Sequence, residues 1–217
     1  MVTAVVFDLD GILIDSEPVW ERVRRSYVHE HGGTWAPDAQ QRLMGMSTPE
    51  WATYLSDELG VDEDADVVER EVIAEMADTY EQQGLPLLPG AEEAVRRLAD
   101  VWPLGLASSS PRRLIDEVLE LTGWAQLFQA TRSTEEVPRG KPAPDVYDAV
   151  AHDLGQATSA CVAIEDSSNG ILSAAAAGLR VIAIPRPEYP PSERARLAAA
   201  VTIENLDALT PELLQSL

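Results

Sequence analysis

Short apolar runs alternate with amphipathic stretches along most of the chain. The runs at residues 2–7, 104–107, 128–130, 161–164 and 181–184 are too short for buried helices and lack the polar alternation of a half-exposed strand. They predict strands buried on both faces, as in a parallel sheet. Helical patterns lie between or after them, at residues 91–99, 112–121, 144–154 and 168–177, with a last one at 211–214. Strand and helix alternating in this way predict the α/β class, an open parallel sheet flanked by helices.

One interval breaks the alternation. From about residue 16 to residue 86 the pattern is helical with no convincing strand, far too long for an ordinary connection. This predicts a helical domain over 16–86 inserted into a core made of 1–15 and 87–217. The segments Asp15-Ser16-Glu17-Pro18 and Gly84-Leu85-Pro86-Leu87-Leu88-Pro89-Gly90 punctuate its ends and read as two hinge strands. A domain rocking on such hinges could exclude water and select a substrate.

Charge narrows the function classes. With 37 acidic and 16 basic residues the formal net charge is -21, which repels nucleic acid and anionic membranes and argues against both as partners. No apolar run reaches the roughly 18 residues of a membrane span, and Met1-Val2-Thr3 enters a core strand without a basic signal region, so a cytoplasmic location is expected. The single cysteine, Cys161, falls inside an apolar run and reads as a core thiol. A phosphate ester would also be repelled at long range. A site for one must therefore be made positive locally, by a metal, helix N-termini and placed cations. One such cation stands out: fifteen of the basic residues are arginine and one is lysine, Lys141, within Arg139-Gly140-Lys141-Pro142. A chain that uses arginine elsewhere points here to a need for a compact ammonium.

Candidate chemistry gathers at the strand ends, where open parallel sheets place their ligand crevice. The first strand runs into Asp8-Leu9-Asp10-Gly11, one carboxylate able to attack phosphorus and a second close enough to handle a proton. The second ends in Ser108-Ser109-Ser110-Pro111, hydroxyls and backbone N–H groups that could cradle an anion. Lys141 precedes the fourth, which ends in Glu165-Asp166-Ser167-Ser168-Asn169-Gly170. Like charges ~4 Å apart repel by about 4 kcal/mol at an effective dielectric near 20, so converging carboxylates call for a cation. Oxygen donors with no useful histidine or cysteine favour Mg2+. His29, His31 and His152 lack zinc-ligand spacing.

The order Asp-x-Asp-Gly, serine at the second tip, lysine before the fourth strand and then Glu-Asp resembles the haloacid dehalogenase superfamily over the whole chain. The helical insertion straight after the first strand resembles the subfamily of β-phosphoglucomutase and many sugar-phosphate phosphatases. The resemblance implies a Rossmann-like core with a small helical-bundle cap. It implies Asp8 as nucleophile and Asp10 as acid/base that also lends its carbonyl to Mg2+. Asp166 would complete the metal ligands with Asp8, and Glu165 would hold metal waters. Ser108 and the Ser109 backbone would bind phosphate, Lys141 would balance charge there, and Asn169 would hydrogen-bond to the ring of acids.

The same resemblance implies a Mg2+-dependent phosphatase acting through an aspartyl-phosphate on a small phosphorylated metabolite, a sugar or polyol monophosphate first. Family mutases place a histidine where this chain has Trp20 and a cap arginine where it has Thr48, which counts against the alternative of a sugar phosphomutase. The segment around Glu17 and Trp20 looks like that of phosphatases for hexose, deoxyhexose or hexitol phosphates. Trp20, Arg24, Met44, Met46, Thr48 and Trp51 are candidates to face the crevice, with Trp20, Thr48 and Glu17 foremost for substrate selection, although aromatic and methionine residues of a small helical domain also read as packing residues. Arg112, early in the helix after the serines, could reach a distal substrate group. A dehalogenase would need neither an acid at position 10 nor a metal, and a phosphonate hydrolase would want a cap lysine that is absent. A non-catalytic phosphate-binding module is the alternative of another class. Family members are often monomeric, which implies a monomer or a weak homodimer.

Overall fold

The computed structural model describes residues 1–44 and 46–217; Gly45, between the cap residues Met44 and Met46, lies outside the described residues. Six parallel strands form one sheet: β1 (Ala4–Phe7), β2 (Leu104–Ser108), β3 (Phe128–Ser133), β4 (Cys161–Glu165), β5 (Arg180–Ala183) and β6 (Val201–Thr202). Their order is β3-β2-β1-β4-β5-β6. The Rossmann-like α/β architecture is the expected one. β1 is fully buried between β2 and β4, so its apolar side chains meet packing on both faces.

Chain order reverses direction across the sheet between β1 and β4, the place where a crevice opens at the carboxyl edge. The register sets what meets there. Phe7 pairs with Leu106 on one side and Ile164 on the other, and the Asp8 N–H donates to the Ile164 carbonyl at 3.0 Å. The next residues along the three strands are Asp8, Ala107 and Glu165, side by side at the sheet edge.

Helices α5 (Ala91–Ala99), α6 (Arg112–Thr122), α7 (Asp145–Asp153), α8 (Ser168–Ala176), α9 (Glu193–Ala198) and α10 (Pro211–Gln215) accompany the sheet. Close packing of α7 on β2 depends on Gly105, where a Cβ would collide with Val150. Cys161 is buried in β4, and burial pushes its thiol above the ordinary range, as suits a core residue.

The chain divides into two compact units, Met1–Asp15 with Pro86–Leu217, and Ser16–Leu85. The second holds α1 (Glu17–Glu30), α2 (Ala39–Leu43), α3 (Thr48–Thr53), a π-helical turn (Tyr54–Glu58) and α4 (Ala65–Gln83), with no strand among its described residues. Proline in the first turns of α1 and α3 fits positions where a backbone N–H has no helical partner. Inside this unit Trp20 packs on Trp51 at 5.8 Å between centroids, and the Arg24 guanidinium lies over both rings at 4.3 and 4.9 Å.

At the edge of the first unit the two linking segments run together. Ile14 and Leu87 form an antiparallel bridge, the Asp15 N–H donates to the Pro86 carbonyl, and Arg186 donates to the Asp15 carboxylate at 2.6 Å. Among the described residues no helix is long and apolar enough to cross a membrane.

Candidate active site

Lys141 is the hub of the site. Its ammonium donates to Asp8 Oδ1 at 2.7 Å, to Glu165 Oε1 at 2.6 Å and to the Ala107 carbonyl at 3.0 Å, one acceptor from each of three adjacent strand tips. The side chain is 5% exposed, so these contacts stand almost wholly out of water. Burial pulls its pKa down, but the Asp8 and Glu165 charges outweigh that and hold it well above the ordinary range, so it is an ammonium.

Glu165 is fully buried, and five donors reach its carboxylate. Oε1 accepts from Lys141 and from the Tyr147 hydroxyl at 2.9 Å; Oε2 accepts from the backbone N–H groups of Asp166 and Ser167 and from the Ser167 hydroxyl. A Cβ on Gly170 would overlap this carboxylate. Both oxygens thus accept from protein donors. The Ser167 hydroxyl also accepts from the Gly170 N–H, capping α8 directly behind the acidic pair.

Asp8, Glu165 and Asp166 each offer a carboxylate oxygen within 4.8 Å of the others. Asp166 is packed against Gly11, whose φ of 84° is accessible to glycine and whose missing Cβ leaves room for that carboxylate. Burial, then the charges of Glu165 and Asp10 against the relief from Lys141, push Asp166 up to about 8. Burial is also the main cause that raises Asp8 well above the ordinary carboxylate range; Lys141 opposes it, while Glu165, Asp166 and Asp10 add to it. Four carboxylates therefore face one ammonium, and ionising all of them together calls for a further cation. Hard oxygen donors with no nitrogen or sulfur among them fit a divalent ion of the Mg2+ type.

The serine cluster faces Asp10. Ser108 and Ser110 both donate to Asp10 Oδ2, at 3.2 and 2.7 Å, and the Ser110 N–H donates to the Ser108 hydroxyl. Ser108 is fully buried, Ser110 nearly so, and Ser109 is exposed.

Asp8, Asp10, Ser108, Lys141, Glu165 and Asp166 are thus brought together, whereas two other candidates are not. Arg112 is committed elsewhere: its guanidinium binds Glu136, Asp116 and both oxygens of Thr131, fastening α6 to β3 and the turn beyond it. That saturates its donors and corrects the expectation that it reaches substrate. Asn169 is exposed in the first turn of α8, and the hydrogen bonds foreseen for it are made by Ser167 and Tyr147. In the helical unit Trp20 is in the aromatic stack described above, Thr48 is buried at the start of α3, and Glu17 accepts from Gln40 at 3.1 Å.

Sequence reasoning missed Tyr147 and Ser110. The signal for Tyr147 was a tyrosine two residues into an apolar helical run, where a buried hydroxyl must find a partner. Ser110 stood inside the quoted serine cluster, but nothing in the sequence separated it from its neighbours.

Residues 2–178 match the haloacid dehalogenase-like hydrolase family. The chain belongs to that family. Among characterised relatives, hexitol phosphatase B of Escherichia coli K12 is 37% identical over 215 residues, covering 96% of this chain and 95% of that one. Solved structures share the whole fold: CbbY from Rhodobacter sphaeroides, in complex with phosphate, aligns over 100% of both chains with a TM-score of 0.89 at 22% identity. β-Phosphoglucomutase from Clostridium difficile aligns over 100% of this chain and 96% of its own with a TM-score of 0.81 at 21% identity.

Proposed function

We propose that the chain is a Mg2+-dependent phosphatase that hydrolyses a small phosphorylated metabolite, a sugar or polyol monophosphate, through an aspartyl-phosphate on Asp8. The observation that carries this reading is the bond from Lys141 to Asp8, made beside Asp166 and Glu165 in a buried cluster short of positive charge. Likeness to a hexitol phosphatase over nearly the full length of both chains supports the substrate class.

In this reading an Asp8 carboxylate oxygen attacks phosphorus while the bond from phosphorus to the ester oxygen breaks. Asp10, steered by the Ser108 and Ser110 hydroxyls, gives a proton to that departing oxygen and releases the alcohol. Asp10 then takes a proton from water, whose oxygen attacks phosphorus and breaks the bond to Asp8. Phosphate leaves and the carboxylate is restored. Asp8, Asp166 and the Asp10 carbonyl would hold Mg2+, which supplies positive charge against the phosphoryl oxygens. Lys141 offsets charge on Asp8, and Glu165 keeps the lysine in place. Exposed Ser109, at the tip of β2, offers backbone and hydroxyl to the anion. The helical unit is the cap that selects the substrate, with Glu17, Trp20 and Thr48 its candidate residues.

A panel of sugar, polyol and nucleotide monophosphates assayed for phosphate release, with and without Mg2+, tests the reading. Mg2+-dependent turnover that favours sugar or polyol phosphates and disappears in Asp8→Asn is expected. Turnover at the wild-type rate in Asp8→Asn refutes the nucleophile, and preference for nucleotides refutes the substrate class. Conversion of a sugar 1-phosphate to its 6-phosphate with little release of phosphate would turn the assignment to a mutase.

A further inference from the structure

Tyr147 has no role in the chemistry above, yet its polar atom is aimed into the site. The residue is fully buried on α7, in the same apolar cluster as Ala107, Ala163 and Ile171. Phenylalanine would fill that place without burying a hydroxyl, and a buried hydroxyl is unfavourable unless it is bonded. Here the hydroxyl donates to Glu165 Oε1 at 2.9 Å and lies 3.4 Å from the Lys141 ammonium. The same ammonium is 5.0 Å from the centroid of the tyrosine ring, within cation–π range. The close approach of α7 to β2 at Gly105 fixes the helix that carries the ring.

We propose that Tyr147 is a positioning residue, whose hydroxyl anchors Glu165 Oε1 and whose ring walls in the ammonium, so that Lys141 stays directed at Asp8. The geometry explains how. Lys141 has three protons and three acceptors at 2.6–3.0 Å, so its aim depends on where those acceptors stand. Ala107 is fixed by the sheet, and Glu165 Oε2 by the 165–167 turn. Among the described residues Oε1 is held by Tyr147 alone apart from the lysine itself. Without the hydroxyl, Oε1 and the ammonium can move as a pair away from Asp8. This role rests on the phosphatase reading, because aiming the ammonium matters to a rate only where Asp8 is the reacting group.

Lys141 is the chain's one lysine, which makes its position directly measurable. Lysine labelled with 15N gives one side-chain signal, and an amine reagent gives one side-chain product. In the metal-free protein, Tyr147→Phe is expected to shift or broaden that signal and to speed modification of Lys141 about tenfold or more. With Mg2+ and the best substrate of the panel, kcat falls about tenfold while KM stays within about twofold. Replacing Tyr147 by 4-aminophenylalanine, which keeps ring and donor, restores both measures. An unchanged signal and modification rate in Tyr147→Phe overturn the proposal whatever the activity, and so does a changed signal with undiminished kcat. If the lysine signal responds but the wild type releases no phosphate in an Asp8-dependent way, the anchoring by Tyr147 stands and the phosphatase reading fails.

Discussion

Gly170 lies directly against the buried carboxylate of Glu165, so closely that a Cβ there would occupy the same space. The glycine belongs to the first turn of α8, where alanine would ordinarily favour the helix by about 1 kcal/mol. Here the steric term dominates, because Glu165 cannot retreat from five donors without leaving Lys141 or the 165–167 turn unpaired. Gly170→Ala is expected to lose about 1–3 kcal/mol of stability, as overpacked cores do. Urea unfolding measures it; a variant as stable as the wild type would show that Glu165 is less firmly placed.

Lys141 joins two carboxylates on neighbouring strands, and a buried pair broken on one side commonly loses about 3–5 kcal/mol. Lys141→Met should be destabilised in that range near pH 8 and less so near pH 5, where the stranded Asp8 carboxylate, already raised by burial, can take up a proton. Lys141→Arg keeps the charge but brings a planar fork to three acceptors that surround a point, so its turnover should fall about 100-fold or more. Arginine at wild-type activity would contradict the need for a compact ammonium.

Arg112 supplies the contrast. Its bonds to Glu136, Asp116 and Thr131 are structural, and the side chain is 26% exposed, so solvent screens its ion pairs. Arg112→Ala should lose about 1 kcal/mol of stability and leave KM within about twofold. A tenfold rise in KM for the best substrate, without a fall in thermal stability, would return Arg112 to the substrate site.

The parts of this fold that were legible in sequence are those whose burial is uniform. Helix α5 has the expected bounds because its apolar stripe and flanking Gly90 both mark them. β3 runs to Ser133, three residues beyond its apolar start, because an edge strand keeps half its surface in water and Thr131 and Arg132 are tolerated there. α9 and β6 carry too little pattern to be legible: the helix buries one residue, Ala195, and the strand is two residues long. The same division holds at the site. Asp8, Glu165 and Asp166 stand out as acids ending apolar runs. Gly170 and Tyr147 depend on which carboxylate packs against them, a relation that arises only when β4, α7 and α8 are assembled.

Metal binding should be coupled to protons, with a sign that the acid cluster fixes. Asp166 is raised to about 8 by burial and by the Glu165 and Asp10 charges, and Asp8 is raised by burial foremost. In the metal-free protein Asp166 holds a proton that the unfolded chain has already lost above about pH 4, and Asp8 is shifted in the same direction. The Asp166 contribution to stability is therefore complete below the unfolded pKa and lost as pH rises through about 8. A divalent cation reverses the balance, because it binds the ionised acids and must displace those protons. Thermal unfolding with Mg2+ and with chelator, across about pH 5 to 8, measures the difference. The rise in Tm produced by Mg2+ is expected to grow steadily towards pH 8. An increment that is flat across this window, or larger at pH 5, would mean that Asp8 and Asp166 are not the groups that meet the ion.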